Sequence, residues 1–478
     1  MTLRTRRSLL LLCLTVFLAA LGPILLYTFG YRINWHTFAL EKTGGLYIAV
    51  QPTGADIFID GHLARATSFL SRGILIQNLN PNAYEIRVGK DGFLPWAKTL
   101  TIKPGQVFEA RIVLTPRSPS GDILARDGLQ SMMPSPSGAW ILFRQKMGQG
   151  ASAALRLYNV STGDFLPYQD TASARLALKP QFLPEHVFWR AGEQSLIADT
   201  GDDWLRLTIQ NDKLSAESLF RAGELRSVFK TKPRLVMPHP RDSQGMIILD
   251  GTNLYLWGSA KSSHKPILQS IASVAAGNDH ILLLDNQSGT LYRTLLDATT
   301  PEAVSPAHIP LPLEDAHIQE LSNGRWLVAS ARGSWLLAAN DAVPFLLARE
   351  PVTARFTDDD HTLLWWTPRA LSVRWLETER NLPYYQTAPE TLLFTADPGR
   401  EIRGSYHYPS QDYAIAAIAE GVYIIEFDGR GNARDVATLY KGKQPQAWVP
   451  PGQQTNAYIL DDGNFIKMEL QKPFTSGQ

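Results

Sequence analysis

Residues Leu9 to Phe29 form an unbroken run of 21 positions without a single charge. No other feature constrains the chain as strongly. A helix rises about 1.5 Å per residue, so the run spans roughly 30 Å, the hydrocarbon thickness of a bilayer. Its nine leucines each favour insertion by about half a kcal/mol near the bilayer centre. Gly22 and Pro23 would weaken a soluble helix, but membrane helices tolerate them. Every face of the run is apolar, unlike the one-sided stripe of a surface helix. Tyr27, Tyr31 and Trp35 follow as an interfacial aromatic belt.

Arg4, Arg6 and Arg7 precede the run, and only Arg32 follows closely. The positive-inside bias puts the N-terminus in the cytoplasm and the bulk of the chain in the extracellular or periplasmic space. A cleaved signal peptide is the rival reading. Leu18-Ala19-Ala20 is a poor cleavage site for it, and the run exceeds the roughly 7–15 residues of a signal core. The expected divisions are a basic cytoplasmic cap (1–8), a transmembrane signal-anchor helix (9–31) and a linker (32–43).

The length of the chain by itself suggests two or three domains. A formal net charge of +1 over 478 residues gives no reason to expect nucleic acid or an anionic membrane surface as a partner. The single cysteine, Cys13, lies in the apolar run. No disulfide, Cys-based zinc site or Cys nucleophile can therefore form beyond it.

From Gly45 the pattern changes to period two. Leu46, Ile48 and Val50 alternate with less apolar positions, as in a half-buried strand. Asp60-Gly61 is a two-residue hairpin signal after Ile57-Phe58-Ile59. Further alternations occupy 73–76, 83–88, 99–102 and 107–114. Seven short strands in about 70 residues describe an antiparallel sandwich over 44–115. Asp56 and Asp60 read as turn and solvent-face residues. A calcium site needs six to eight oxygens, and nothing nearby supplies the rest.

This segment resembles the PEGA domain. The family's namesake tetrapeptide stands here as Pro52-Thr53-Gly54-Ala55, with Thr53 in place of Glu. Ile57-Phe58-Ile59-Asp60-Gly61 and Tyr84-Glu85-Ile86-Arg87-Val88-Gly89-Lys90-Asp91-Gly92-Phe93 match its later strands and turns. The family's Gly-Lys-Thr-Pro segment is not evident around 64–68. The resemblance implies a surface-associated module that is mainly non-catalytic.

After a polar linker (116–121), a coarse repeat fills 122–474. Apolar second strands recur at 140–143, 195–198, 246–250, 280–285, 325–329, 361–366, 413–418 and 456–461. A third strand follows each. Spacings of 34 to 55 residues match the roughly 40–50 residues of a propeller blade. Pro134-Ser135-Pro136-Ser137-Gly138-Ala139-Trp140-Ile141-Leu142-Phe143 resembles the turn of TolB-like propellers, and 155–163 resembles an outer strand of WD-repeat blades. Eight units can be counted. Seven is the alternative, because 181–220 is irregular; tandem sandwiches are the rival architecture. A propeller must be sealed to protect its edges. The last unit lacks a fourth strand, while 122–126 reads as a strand without a home, so 122–126 is expected to close the ring as that strand.

The expected fold is thus all-β: an N-terminal transmembrane helix, a PEGA-like β-sandwich and a β-propeller, with a short tail (475–478). No catalytic set emerges. The sequence holds no nucleophile elbow, phosphate loop or His-Glu-x-x-His. Asp358-Asp359-Asp360-His361 and Asp461-Asp462-Gly463-Asn464 read as turns. Trp365, Trp366 and Trp375 read as packing between blades rather than as a sugar platform. Asn159-Val160-Ser161 and Asn286-Gln287-Ser288 are formal glycosylation sequons of a kind common by chance. No catalytic, cofactor-binding or metal-binding residue is assigned, and no cofactor is expected. The expected function is a membrane-tethered cell-envelope binding or scaffold protein, non-catalytic, with an envelope protein or polysaccharide as partner. The alternative is an envelope hydrolase or lyase using the propeller channel. A third reading is an assembly factor with one dedicated protein partner.

Overall fold

A computed structural model describes residues 3–28, 30–34, 39–67, 73–147, 153–179, 186–258, 265–297, 300–313, 315–321, 324–356, 362–376, 383, 385–386, 388–408, 412–431, 433–451 and 455–470. The N-terminal helix, Leu3–Thr28, is long and apolar enough over Leu10–Thr28 to cross a membrane, and none of that stretch is buried against protein. Trp35 of the expected aromatic belt lies outside the described residues.

The stretch expected to be a linker carries a hairpin, Tyr31–Asn34 paired with Ala39–Lys42. Side-chain chemistry holds this junction. Arg32 donates to Tyr27 O (3.0 Å), a carbonyl that the helix end leaves open, and to Tyr31 O (2.9 Å) of the first strand. Its guanidinium lies 3.5 Å from the Tyr27 ring centroid. The same group donates to Asn78 Oδ1 at 2.7 Å, tying the helix end to the sandwich.

The sandwich has two sheets. One orders Gly73–Leu79, Gly44–Gln51 and Val107–Val113; the other His62–Ala66, Asp56–Ile59, Ala83–Gly89 and Trp96–Thr101. Leu46, Ile48, Val50, Ile57, Ile86, Val88, Trp96 and Ile112 interdigitate between them, as the alternation requires. Asp60 (φ 48°) and Gly61 (φ 78°) make the expected hairpin turn. One expectation needs correcting: the sandwich is not wholly antiparallel. Gly44–Gln51 and Val107–Val113 pair in parallel. Between them the chain crosses to the second sheet, returns to the first as Gly73–Leu79, crosses again, and re-enters beside its first strand in the same direction.

From Gly121 on, the described residues form seven sheets. Six are antiparallel meanders that begin at Val187, Leu235, Ile271, His317, Thr353 and Ile402. The seventh is composite. Its 14-residue strand Gly121–Pro134 pairs at Ile123 with Ile466 of the last hairpin, and at Met132 with Phe143 of the first unit. The first and last units are joined in this way, as closure demanded. Where the strand crosses from one to the other, a Cβ on Gly463 would lie 3.1 Å from Gly128 Cα. Successive units bury apolar faces against each other. Trp366 and Trp375 pack with Ile402, Ala416 and Ile418 of the next sheet, and Trp365 packs with Leu327 and Leu336 of the previous one. The three tryptophans are core.

Strands alternate in direction along each unit. The turns between first and second strands, and between third and fourth, therefore share one face of the ring, here the near face. The second-to-third turns and the links between units share the opposite, far face.

Candidate functional site

The sandwich is fastened to the near face of the ring. Alternation along Trp96–Thr101 points Trp96, Lys98 and Leu100 to the core side, so a lysine occupies a core register. It pairs with Glu426 of the strand Gly421–Glu426 (Nζ–Oε2 2.6 Å). It also donates to Asp428 O at 2.6 Å.

Arg430, two residues on, forms a bidentate contact with Asp428. Its guanidinium stacks 3.5 Å from the Phe108 ring centroid and donates to Glu109 O at 2.7 Å. Tyr413 Oη donates to Arg111 O and accepts from Val113 N, both at 3.2 Å. Residues 109, 111 and 113 are alternate positions on the free edge of Val107–Val113. The ring therefore satisfies backbone groups that an edge strand would otherwise leave exposed. Gly431 (φ 78°) completes the fit, since a Cβ there would lie 2.6 Å from Thr99 O.

This seam carries buried carboxyls. Burial pushes Glu426 up to about 7, with Lys98 offsetting only part of the effect. Burial likewise raises Asp412, whose Oδ1 accepts from Tyr385 Oη at 2.6 Å, and Asp435.

A second polar cluster sits on the far face, between the units that begin at Val187 and Leu235. Asp199 accepts from Lys232 Nζ (2.6 Å) and Gly201 N (2.7 Å), and its Oδ2 lies 3.0 Å from His186 Nδ1. Burial works against the Asp199 charge, but these partners outweigh it and hold the carboxyl below its ordinary range. Lys232 lies 4.8 Å from the ring centroid of the buried Trp204, and His186 stacks on the same indole.

Asp203 is wholly buried. It accepts from Trp204 N, Phe220 N, Arg221 N and Ser218 Oγ, which anchors the start of the connection 219–234. That connection carries Arg221, Arg226, Lys230, Lys232 and Arg234 against Glu224 alone.

A third group lies on the near face. His280 sits between Asp279 (Nδ1–Oδ1 2.7 Å) and Glu320 (Nε2–Oε1 3.1 Å), and Glu320 belongs to the first strand of its unit, His317–Leu321. Among the described residues no group of three or more His, Cys, Asp or Glu side chains is arranged to hold a metal ion.

The other residues singled out in the sequence have local roles. Asp60 Oδ1 accepts from Glu85 N. Asn159 Oδ1 accepts from Ser161 N and Thr162 N within its own turn. Asp462 (φ 48°) and Gly463 (φ 79°) form the expected hairpin turn. Asp358 to His361 lie outside the described residues.

Sequence reasoning missed every residue of the seam and of the far-face cluster. Lys98 and Asp428 are 330 positions apart. The one legible signal was a lysine in the inward register between Trp96 and Leu100.

Residues 43–118 match the PEGA domain family. No curated protein matches the chain. Among solved structures, the β-propeller domain of Cps50 (Swd1) from Myceliophteria thermophila is similar at 12% identity and a TM-score of 0.37, over 74% of this chain and 100% of that one. Hsv2 from Kluyvelomyces marxianus is similar at 11% identity and a TM-score of 0.40, over 66% of this chain and 99% of that one.

Proposed function

We propose that this chain is a membrane-tethered, non-catalytic binding or scaffold protein of the cell envelope. Its N-terminus is cytoplasmic, and an eight-bladed propeller is held outside the membrane; the count takes the composite sheet as two blades. One observation carries this reading. The sandwich, joined to the apolar helix through Arg32 and Asn78, grips the near face through Lys98, Arg430 and Tyr413. These contacts all fall on the near face, and the far face carries the second-to-third turns and the connections between units. Connections on a rigid scaffold are where binding residues concentrate.

The test has two arms. Protease added to cells whose outer barrier, if any, has been opened should digest the ring while the cytoplasm stays sealed. The full-length protein in detergent should retain an exported glycan or protein. A protected ring would overturn the topology, and retention of nothing at any salt would overturn the binding role.

A hydrolase using the channel is the second reading, favoured by the contact between His280 and Glu320. It requires that Glu320→Gln abolish a measurable release of polymer fragments by the wild-type protein. The absence of any such release from envelope glycans would end it.

A further inference from the structure

We propose that the far-face connection 219–234 binds an acidic polysaccharide through its carboxylate or phosphate groups. This rests on the binding role proposed above and names its ligand class. The chain is almost neutral overall, with 46 basic and 45 acidic residues, yet this one connection carries five cations and one acid. Two of the cations are already matched: Arg221 pairs with Asp202 at 2.7 Å and Lys232 with Asp199 at 2.6 Å. Arg226, Lys230 and Arg234 are exposed and pair with no carboxylate among the described residues.

The patch is also held in place. Asp203 fixes the backbone at Phe220 and Arg221, Trp204 Nε1 donates to Pro233 O at 3.0 Å, and Lys232 is clamped between Asp199 and the Trp204 ring. Cations on a fixed scaffold lose less entropy when they meet an anion than cations on a mobile tail.

Two features select a polysaccharide. Among the described residues no large hydrophobic between Met147 and Leu295 is exposed, so the connection itself brings none of the apolar centre that protein interfaces use. It also lies on the face opposite the sandwich, and hence away from the helix, which argues against lipid headgroups.

The full-length protein in detergent is titrated with polygalacturonate, neutral dextran, polyglutamate and a single-stranded oligonucleotide. Polygalacturonate should bind most tightly of the four, dextran should not bind, and affinity should fall as salt rises from about 50 to about 300 mM, as screening requires. Lys230→Gln with Arg234→Gln should weaken binding at least about fivefold, the effect of roughly 1 kcal/mol. Lys103→Gln with Arg65→Gln, an equal charge loss on the sandwich, should not. No binding at low salt, equal loss from both pairs, or tighter binding of polyglutamate or the oligonucleotide would each overturn the proposal. Retention of an envelope component that survives the Lys230/Arg234 changes would overturn this site but leave the binding role standing.

Discussion

Lys98 of the sandwich and Glu426 of the ring meet at 2.6 Å with each side chain only 3% exposed. Both charges have been taken out of water, so removing one partner is far more disruptive than removing both. Lys98→Met should destabilise the protein by about 3–5 kcal/mol. Adding Glu426→Gln should recover most of that, because the amide carries no charge and can still accept from Asp435 N, as Glu426 does now. Urea unfolding of the single and double variants decides this. Equal destabilisation in both would show that the pair does not hold the seam.

The seam should respond to pH in the direction opposite to an ordinary salt bridge. Glu426 is raised from 4.5 to about 7, mainly by burial, so the folded state binds its proton more tightly than the unfolded chain does. That contribution is complete below about pH 4.5 and lost as pH rises through about 7. Its full size is about 3 kcal/mol. Asp412 and Asp435, raised by burial, act in the same sense. Asp199, held low, acts in the opposite sense, but only as pH falls below the ordinary aspartate range. The unfolding midpoint should therefore climb from about pH 8 to about pH 5, and Glu426→Gln should flatten the slope. A midpoint that falls over this interval in the wild type would contradict the assignment.

Gly431 tests docking without touching either core. Its φ of 78° favours glycine, and a Cβ would collide with Thr99 O. Gly431→Ala should loosen the sandwich from the ring while both remain folded. Trypsin cleavage at Arg117, in the short connection between them, reads this out: the variant should be cut several-fold faster, with far-UV circular dichroism unchanged. Unaltered cleavage would mean that the seam tolerates the methyl group.

Ring closure can be challenged at Gly463. This residue has φ 79° in the last hairpin and lies under Gly128 where the closing strand crosses over. Gly463→Val adds left-handed strain of about 1–2 kcal/mol to a clash with the Gly128 backbone. The thermal midpoint should fall, with hydrogen exchange rising first across 121–134 and 456–469, whereas Gly61→Val in the sandwich turn, where a Cβ meets no neighbour, should leave those strands protected. Uniform exchange throughout the ring would argue against a local seam.

Much of the architecture could be read from residue order, because it depends on local periodicity. The apolar run marks the helix, period-two alternation marks the strands, and Asp60-Gly61 and Asp462-Gly463 mark their turns. Closure was also legible, since the surplus strand near 122 and the missing strand after Leu470 are complementary defects. Lys98 could be seen only as an anomaly, a charge in a core register, and its partner lay hundreds of residues away.

What the amino-acid order determined here is whatever neighbouring side chains decide among themselves: the membrane-length helix, the strand alternation and the tight turns. Tertiary structure alone decided which face of the ring the sandwich grips, that Val107–Val113 runs parallel to its neighbour, and that His186, Asp199 and Lys232 converge on Trp204. Those outcomes depend on which distant surfaces exclude water from each other, and burial of that kind leaves no period in the chain to be read.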